Sequence, residues 1–207
     1  MDKKIGKRRN ILKITIAIHI ILMILEFIAL IHDLQVFGLA MFKYYTIDSN
    51  ILQMLVSAAI VFRILYRKEE LVSARLSILH LVCAVNLTIT FLIALLVLAP
   101  QEGFAYYFIE NVAPINHLVG PLLSVITFLF LEESEKLPGI AVLIPMAATL
   151  LYGITALILN ALRILDGPYF FLRIYDESLG TIVLWFAIIT VLCTVLSGLY
   201  LWIKSRC

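Results

Sequence analysis

The sequence predicts an all-α membrane protein, a single bundle of six transmembrane helices that occupies residues 1–207. Two observations lead to this prediction. The chain is 63% hydrophobic and only 14% charged, with a mean hydropathy of +1.05, whereas soluble domains are usually under half apolar and about a quarter charged. The apolar residues are also gathered into six runs separated by short polar segments, the pattern of a polytopic membrane protein.

The apolar runs predict helices, because an isolated strand cannot satisfy its backbone hydrogen bonds in lipid. The first run follows the basic segment MDKKIGKRRN and is longer than the core of a signal peptide, so we expect a retained signal anchor. The second run is short, but Arg63 and Arg67 at its end can snorkel to the interface. The predicted spans are about 11–31, 50–66, 76–98, 114–131, 139–162 and 179–203.

The basic residues predict the orientation of the bundle. If the N-terminus is cytoplasmic, thirteen of the 16 Lys and Arg residues fall in inner segments, and only Lys43, Arg163 and Arg173 fall in outer ones. An excess of Lys and Arg marks the cytoplasmic side. We therefore expect both termini to be cytoplasmic. The short loops and the lack of a eukaryotic targeting signal favour the bacterial cell membrane.

Other classes of function fit the composition poorly. The net charge of +2 argues against nucleic acid as a partner. Three cysteines without metal-binding spacing give no disulfide framework. We therefore expect no metal and no organic cofactor, and the sequence leaves the oligomeric state open.

Two polar clusters stand out at the predicted outer ends of the second and fourth helices. The first is KYYTIDSNILQ at positions 43–53, which contains Thr46, Asp48 and Asn50. The second contains Asn116 and His117, which fall in the first turn of a helix that Pro114 can open. The predicted topology puts both clusters at the same depth, on the outer side of the membrane.

Together these side chains could perform acyl transfer. A threonine hydroxyl becomes a nucleophile when a neighbouring base takes its proton, and His117 near a helix N-terminus is favoured in the neutral form that a base needs. Asn50 and Asn116 could donate hydrogen bonds to an oxyanion. Simpler roles are also open: Thr46 or Asp48 could cap the second helix, and Asn50 could join helices.

The chain resembles the androgen-induced protein family, which includes the ADTRP type, and its small bacterial six-helix relatives. The resemblance rests on KYYTIDSNILQ, on NHLVGPLLSVITFLFLE and on DGPYFFL. It implies a multipass hydrolase with a threonine nucleophile, which falls on Thr46, and a histidine, which falls on His117. The implied substrates are long-chain fatty acyl esters, such as fatty acid esters of hydroxy fatty acids, that enter from the bilayer.

Two alternatives remain at this stage. The first is a non-enzymatic membrane transporter or lipid-binding module, in which Glu26, His19 and Asn86 form an internal polar path; His19 and Glu26 are seven residues apart and so share one helix face. The second is an acyltransferase on the same Thr46 and His117, because the acyl-enzyme is common to transfer and hydrolysis.

Overall fold

The protein is all-helical in a computed structural model that describes residues 2–68 and 71–206. The first half contains α1 (Asp2–Phe37), a 3-10 helix (Gly38–Lys43), α2 (Tyr45–Tyr66), α3 (Ala74–Ile93), a π-helical turn (Ala94–Leu98), α4 (Ala99–Glu102) and α5 (Phe104–Phe108). The second half contains a π-helical turn (Ile115–Val119), α6 (Gly120–Ile126), another π-helical turn (Thr127–Leu131), two 3-10 helices (Gly139–Leu143 and Phe170–Leu172), α7 (Ile144–Ala161) and α8 (Leu179–Lys204).

Among residues 2–68 and 71–206, five helices are long and apolar enough to cross a membrane, which agrees with the predicted all-α membrane bundle. They are Arg8–Lys43, Tyr45–Tyr66, Ala74–Glu102, Gly139–Ala161 and Leu179–Lys204. Phe27, Leu151, Leu184 and Val195 on their outer faces are each more than half exposed. Such large apolar side chains in contact with solvent would be unfavourable, so these faces suit lipid.

The fourth predicted span corresponds to a shorter apolar helix, Ile115–Leu131. It is α-helical only at its centre, in α6, and has a π-helical turn at each end. Pro121 explains the first of these turns, because a proline nitrogen cannot donate to a carbonyl in the preceding turn. The Gly120 N–H instead reaches back to the carbonyl oxygen of Ile115, five residues earlier.

Helix α3 forms the centre of the bundle. It contacts α2, α6, α7 and α8, and Leu81, Ala84, Val85 and Leu87 on it are completely buried. A helix that is apolar all round is typical of such a central position. This packing brings the N-terminal ends of α2 and of the helix at Ile115–Leu131 to the same side of α3, and the candidate site lies there.

Candidate active site

Thr46 is the second residue of α2, which begins five residues earlier than the residue-50 start that the sequence predicts. The residue before the helix is Tyr44, and no side chain caps this end. The capping role considered for Thr46 and Asp48 is therefore wrong. The 3-10 helix Gly38–Lys43 leads directly into α2 and fixes its start instead. The Thr46 hydroxyl is left without a capping function.

Tyr45 anchors this first turn. Its side chain is buried, and its hydroxyl lies 2.7 Å from the Thr149 hydroxyl on α7. The Tyr152 hydroxyl donates to the carbonyl oxygen of Lys43 at 2.6 Å, just before the helix. Two tyrosines therefore fix the segment immediately before Thr46 against α7, which gives the threonine a defined position.

His117 lies on the π-helical turn Ile115–Val119. Its Nδ1 is 3.2 Å from the carbonyl oxygen of Ala113. A carbonyl can only accept a hydrogen bond, so Nδ1 carries the proton, and in the neutral ring Nε2 has the free lone pair. The rings of Tyr107 and Phe108 pack edge-on against the imidazole, with centroids 5.4 and 6.2 Å away. The histidine is thus held in the tautomer that a general base requires.

Thr46 and His117 line the same two cavities. One is a narrow apolar cavity of about 60 Å³ between α3, α7 and α8. The other is a wide polar vestibule of about 640 Å³, which Glu102, Glu110 and Arg173 also line. The two side chains do not hydrogen-bond to each other. They lie where an apolar space meets a polar one.

Tyr169 and Leu98 are the other residues that line both cavities. Burial raises the pKa of the Tyr169 phenol to about 12, and the nearby Thr46 side chain and backbone oppose that rise. The phenol therefore keeps its proton at neutral pH and can donate a hydrogen bond beside Thr46. Tyr169 belongs to the segment DGPYFFL, but the aromatic pattern of that segment is equally typical of a membrane interface, so the sequence alone does not single out this residue.

The side-chain amides of Asn50 and Asn116 connect helices. Asn50 Nδ2 donates to the carbonyl oxygens of Thr46, at 2.8 Å, and of Asn116, at 3.2 Å. Asn116 Nδ2 donates to Asp33 Oδ2 at 3.0 Å. Both N–H groups of Asn50 are thus engaged, and Asn50 lines neither cavity. Asn50 therefore has no free N–H for an oxyanion, and it positions the site instead. The phenol of Tyr169 is the better candidate for the predicted oxyanion donor.

The residues of the alternative prediction are buried but are not all together. His19 Nδ1 lies 3.0 Å from the Ser57 hydroxyl, and neither oxygen of Glu26 has a hydrogen-bond partner among the described residues. Asn86 belongs to a different group, since its Oδ1 accepts from the Thr149 hydroxyl at 3.3 Å. The structure therefore separates Asn86 from the polar face of α1.

Comparisons of the chain with protein families, with curated proteins and with solved structures find no match. The site is therefore interpreted from its own geometry.

Proposed function

We propose that the protein is an intramembrane lipid esterase that cleaves long-chain fatty acyl esters through Thr46 and His117. The observation that supports this most directly is their position at the boundary between an apolar cavity and a polar vestibule. An acyl ester needs both surroundings: the apolar cavity suits the start of a fatty acyl chain, and the vestibule suits water and the released acid. The ester carbonyl, at the head of the acyl chain, would then lie at the boundary beside Thr46 and His117.

The proposed reaction has two steps. His117 Nε2 takes the proton from the Thr46 hydroxyl as the oxygen attacks the ester carbonyl, and the protonated histidine then gives this proton to the leaving alkoxide. Water from the vestibule next attacks the acyl-threonine, with His117 again as the base, and releases the fatty acid. The phenol of Tyr169 would donate to the oxyanion, and one such donor typically contributes about 3 kcal/mol to the transition state.

The proposal includes the predicted topology of six spans, with Ile115–Leu131 as the fourth. Both termini would be cytoplasmic and the site would lie toward the outer leaflet, as the thirteen inner and three outer basic residues indicate. The substrate would enter sideways from the bilayer. The cell membrane of a bacterium is the proposed location.

Covalent labelling with a lipid-like fluorophosphonate tests the proposal. An activated Thr46 would attack phosphorus and displace fluoride, so the purified protein should be labelled, and Thr46→Ala and His117→Ala should not. Thr90→Val is the matched control, because Thr90 lines the same apolar cavity but donates its hydroxyl to the carbonyl oxygen of Leu87 at 2.7 Å. Undiminished labelling of a folded Thr46→Ala variant would contradict the proposal.

A membrane transporter is the second candidate, and one observation favours it. A chain of buried polar contacts links α1, α2 and α6: Ser57 contacts His19, Gln53 Nε2 donates to the Ser57 hydroxyl at 2.9 Å, and the Ser124 hydroxyl donates to Gln53 Oε1 at 2.5 Å. Such chains occur along proton paths. They also join helices within membranes, which is the role that we assign to this one.

An acyltransferase would use the same acyl-threonine. Hydrolysis is the simpler proposal, because the vestibule is wide and polar and would admit water directly to the intermediate. Product analysis with a long-chain ester, in the presence and absence of an added alcohol, would separate the two reactions.

A further inference from the structure

Helix α1 carries a stripe of buried polar residues. His19, Glu26 and Asp33 are seven residues apart, so they share one face of the helix. Their exposed fractions are 0%, 2% and 4%. Glu26 is the unusual member, because neither of its carboxylate oxygens has a hydrogen-bond partner among the described residues. Such a group is costly within a protein unless something compensates its charge.

Two side-chain amide oxygens resemble the carboxylate oxygens of Glu26 in this respect. Asn50 Oδ1 and Asn116 Oδ1 are buried and have no hydrogen-bond partner in the part of the chain that the structure describes. The amide orientations follow from their contacts, since the nitrogen of Asn50 faces two carbonyl oxygens and the nitrogen of Asn116 faces Asp33 Oδ2. Rotating either amide would place oxygen against oxygen. The unpartnered atoms are therefore oxygens in both side chains.

Two of these oxygens, from Glu26 and Asn50, meet over Gly120. A Cβ atom at Gly120 would lie 2.6 Å from Glu26 Oε1 and 3.1 Å from Asn50 Oδ1. Asn116 lies one helical turn before Gly120, and its carbonyl oxygen accepts from Asn50. Because glycine has no side chain, Glu26 on α1 and Asn50 on α2 can pack an oxygen against Gly120, on the helix that carries His117.

We propose that these oxygens bind a hard divalent cation of the Ca²⁺ or Mg²⁺ class. A proton on Glu26 could join only two oxygens, and the structure leaves four without a partner: both oxygens of Glu26 and the side-chain oxygens of Asn50 and Asn116. A hard cation binds several carboxylate and amide oxygens at once and completes its shell with water. Asp33, which accepts a hydrogen bond from Asn116, supplies a second negative charge nearby. Two carboxylates together match the double positive charge of the proposed cation.

The ligand set differs from those of zinc and other softer metals. No group of three or more His, Cys, Asp or Glu side chains among the described residues could hold a metal ion. The proposed site instead combines carboxylates with amide oxygens, which are the ligands that Ca²⁺ and Mg²⁺ prefer. Asp33 and Asn116 also line the vestibule, so a hydrated ion has a route from the polar side.

The proposed cation would join α1, α2 and the helix of His117 at one point. It is not a participant in the hydrolysis, and the inference stands without the proposed function. Because the folded protein would bind the ion and the unfolded chain would not, the ion should stabilise the fold, by an amount that grows with the logarithm of its free concentration above the Kd.

Thermal unfolding of the purified, chelator-treated protein in detergent tests the inference. Ca²⁺, Mg²⁺ and Na⁺ would be added separately, with choline chloride keeping the ionic strength constant. We expect Tm to rise with the concentration of Ca²⁺ or Mg²⁺, and at least tenfold weaker binding in Glu26→Gln. Glu110→Gln is the matched control, because Glu110 is an exposed acid of the vestibule and should leave the response unchanged.

Equilibrium dialysis of the parent with ⁴⁵Ca²⁺ gives a second, direct measurement, and Asn116→Ala replaces Glu26→Gln if the latter does not fold. A parent that binds no divalent ion and shows no rise in Tm overturns the inference. So does a Glu26→Gln protein that responds as the parent does, because the ion then binds elsewhere. A response to Na⁺ alone overturns the divalent assignment.

Discussion

Asn50 donates its side-chain amide to the carbonyl oxygen of Asn116 at a distance of 3.2 Å. This bond joins α2, whose first turn carries Thr46, to the π-helical turn that carries His117. The same amide also donates to the carbonyl oxygen of Thr46. Asn50 is thus the residue that sets the separation of the two proposed catalytic side chains.

Replacing Asn50 with alanine should reduce the labelling rate at Thr46 by more than tenfold while the protein stays folded. The change removes two hydrogen bonds to buried carbonyl oxygens, which costs about 1–3 kcal/mol for each unsatisfied group. The matched control is Thr15→Val. The buried Thr15 hydroxyl also lies within hydrogen-bonding distance of two carbonyl oxygens, that of Ile11 in its own helix and that of Leu131 on another, and Thr15 lines neither cavity.

The control separates two effects of these changes. Both variants should lose stability, which thermal unfolding measures, and only Asn50→Ala should lose labelling at a temperature where both are folded. Equal loss of labelling in the two variants would contradict the positioning role.

Replacing Tyr169 with phenylalanine should lower the rate of ester cleavage by about 10²–10³-fold, the usual cost of one oxyanion donor. The ring remains, so its packing against Phe171, with centroids 5.5 Å apart, should hold the fold in place. The measurement is kcat with a long-chain ester, and kcat should fall while KM changes little.

Tyr175→Phe is the control for this change. The Tyr175 hydroxyl also makes one hydrogen bond, to the carbonyl oxygen of Ala161, but the residue lines neither cavity. If Tyr169→Phe retains the kcat of the parent, the oxyanion donor must be another group.

Replacing His19 with glutamine separates the esterase from the transporter. The change disturbs a completely buried side chain that contacts Ser57, so we expect lower stability. Labelling at Thr46 should persist, because His19 lines neither of the two cavities. Two results together would favour the transporter: the parent never reacts with the probe, and a folded His19→Gln protein loses transport across vesicles.

Replacing Gly153 with alanine should change the shape of the apolar cavity. A Cβ atom at Gly153 would lie 2.9 Å from Phe186 Cζ, and both residues line that cavity. The ring must move toward the cavity or away from it, and either movement changes the room for an acyl chain. We expect a change in kcat/KM for long-chain esters relative to short ones.

Gly198→Ala on α8 is the control, because a Cβ there would meet only Val142, at an ordinary contact distance of 3.8 Å. It should keep the chain-length preference of the parent. An unchanged preference in Gly153→Ala as well would show that the acyl chain binds elsewhere.

The sequence predicted the helices well, because the length of an apolar run is a direct measure of a membrane-spanning helix. The start of α2 was predicted less well. Tyr45, Thr46 and Asp48 are polar enough to suggest a loop, but tertiary contacts through Tyr45 and Tyr152 hold this segment in the helix.

The site was predicted only in part, for a related reason. Topology is enough to place Thr46 and His117 at one depth, and they do line common cavities. The contact between Asn50 and Asn116, and the approach of Tyr169 to Thr46, depend on how helix faces fit together. Periodicity contains no such information, because it identifies a buried face but not its neighbour.

The helix Ile115–Leu131 has 17 residues, a length of roughly 26 Å at about 1.5 Å per residue. The hydrocarbon layer of a bilayer is thicker than this, about 30 Å. A spanning helix of this length would draw the lipid headgroups inward around it, at a cost of a fraction of a kcal/mol per Å. The bilayer would then be thinnest beside His117, and an ester bond near the headgroups would meet the hydroxyl of Thr46 without leaving its own leaflet.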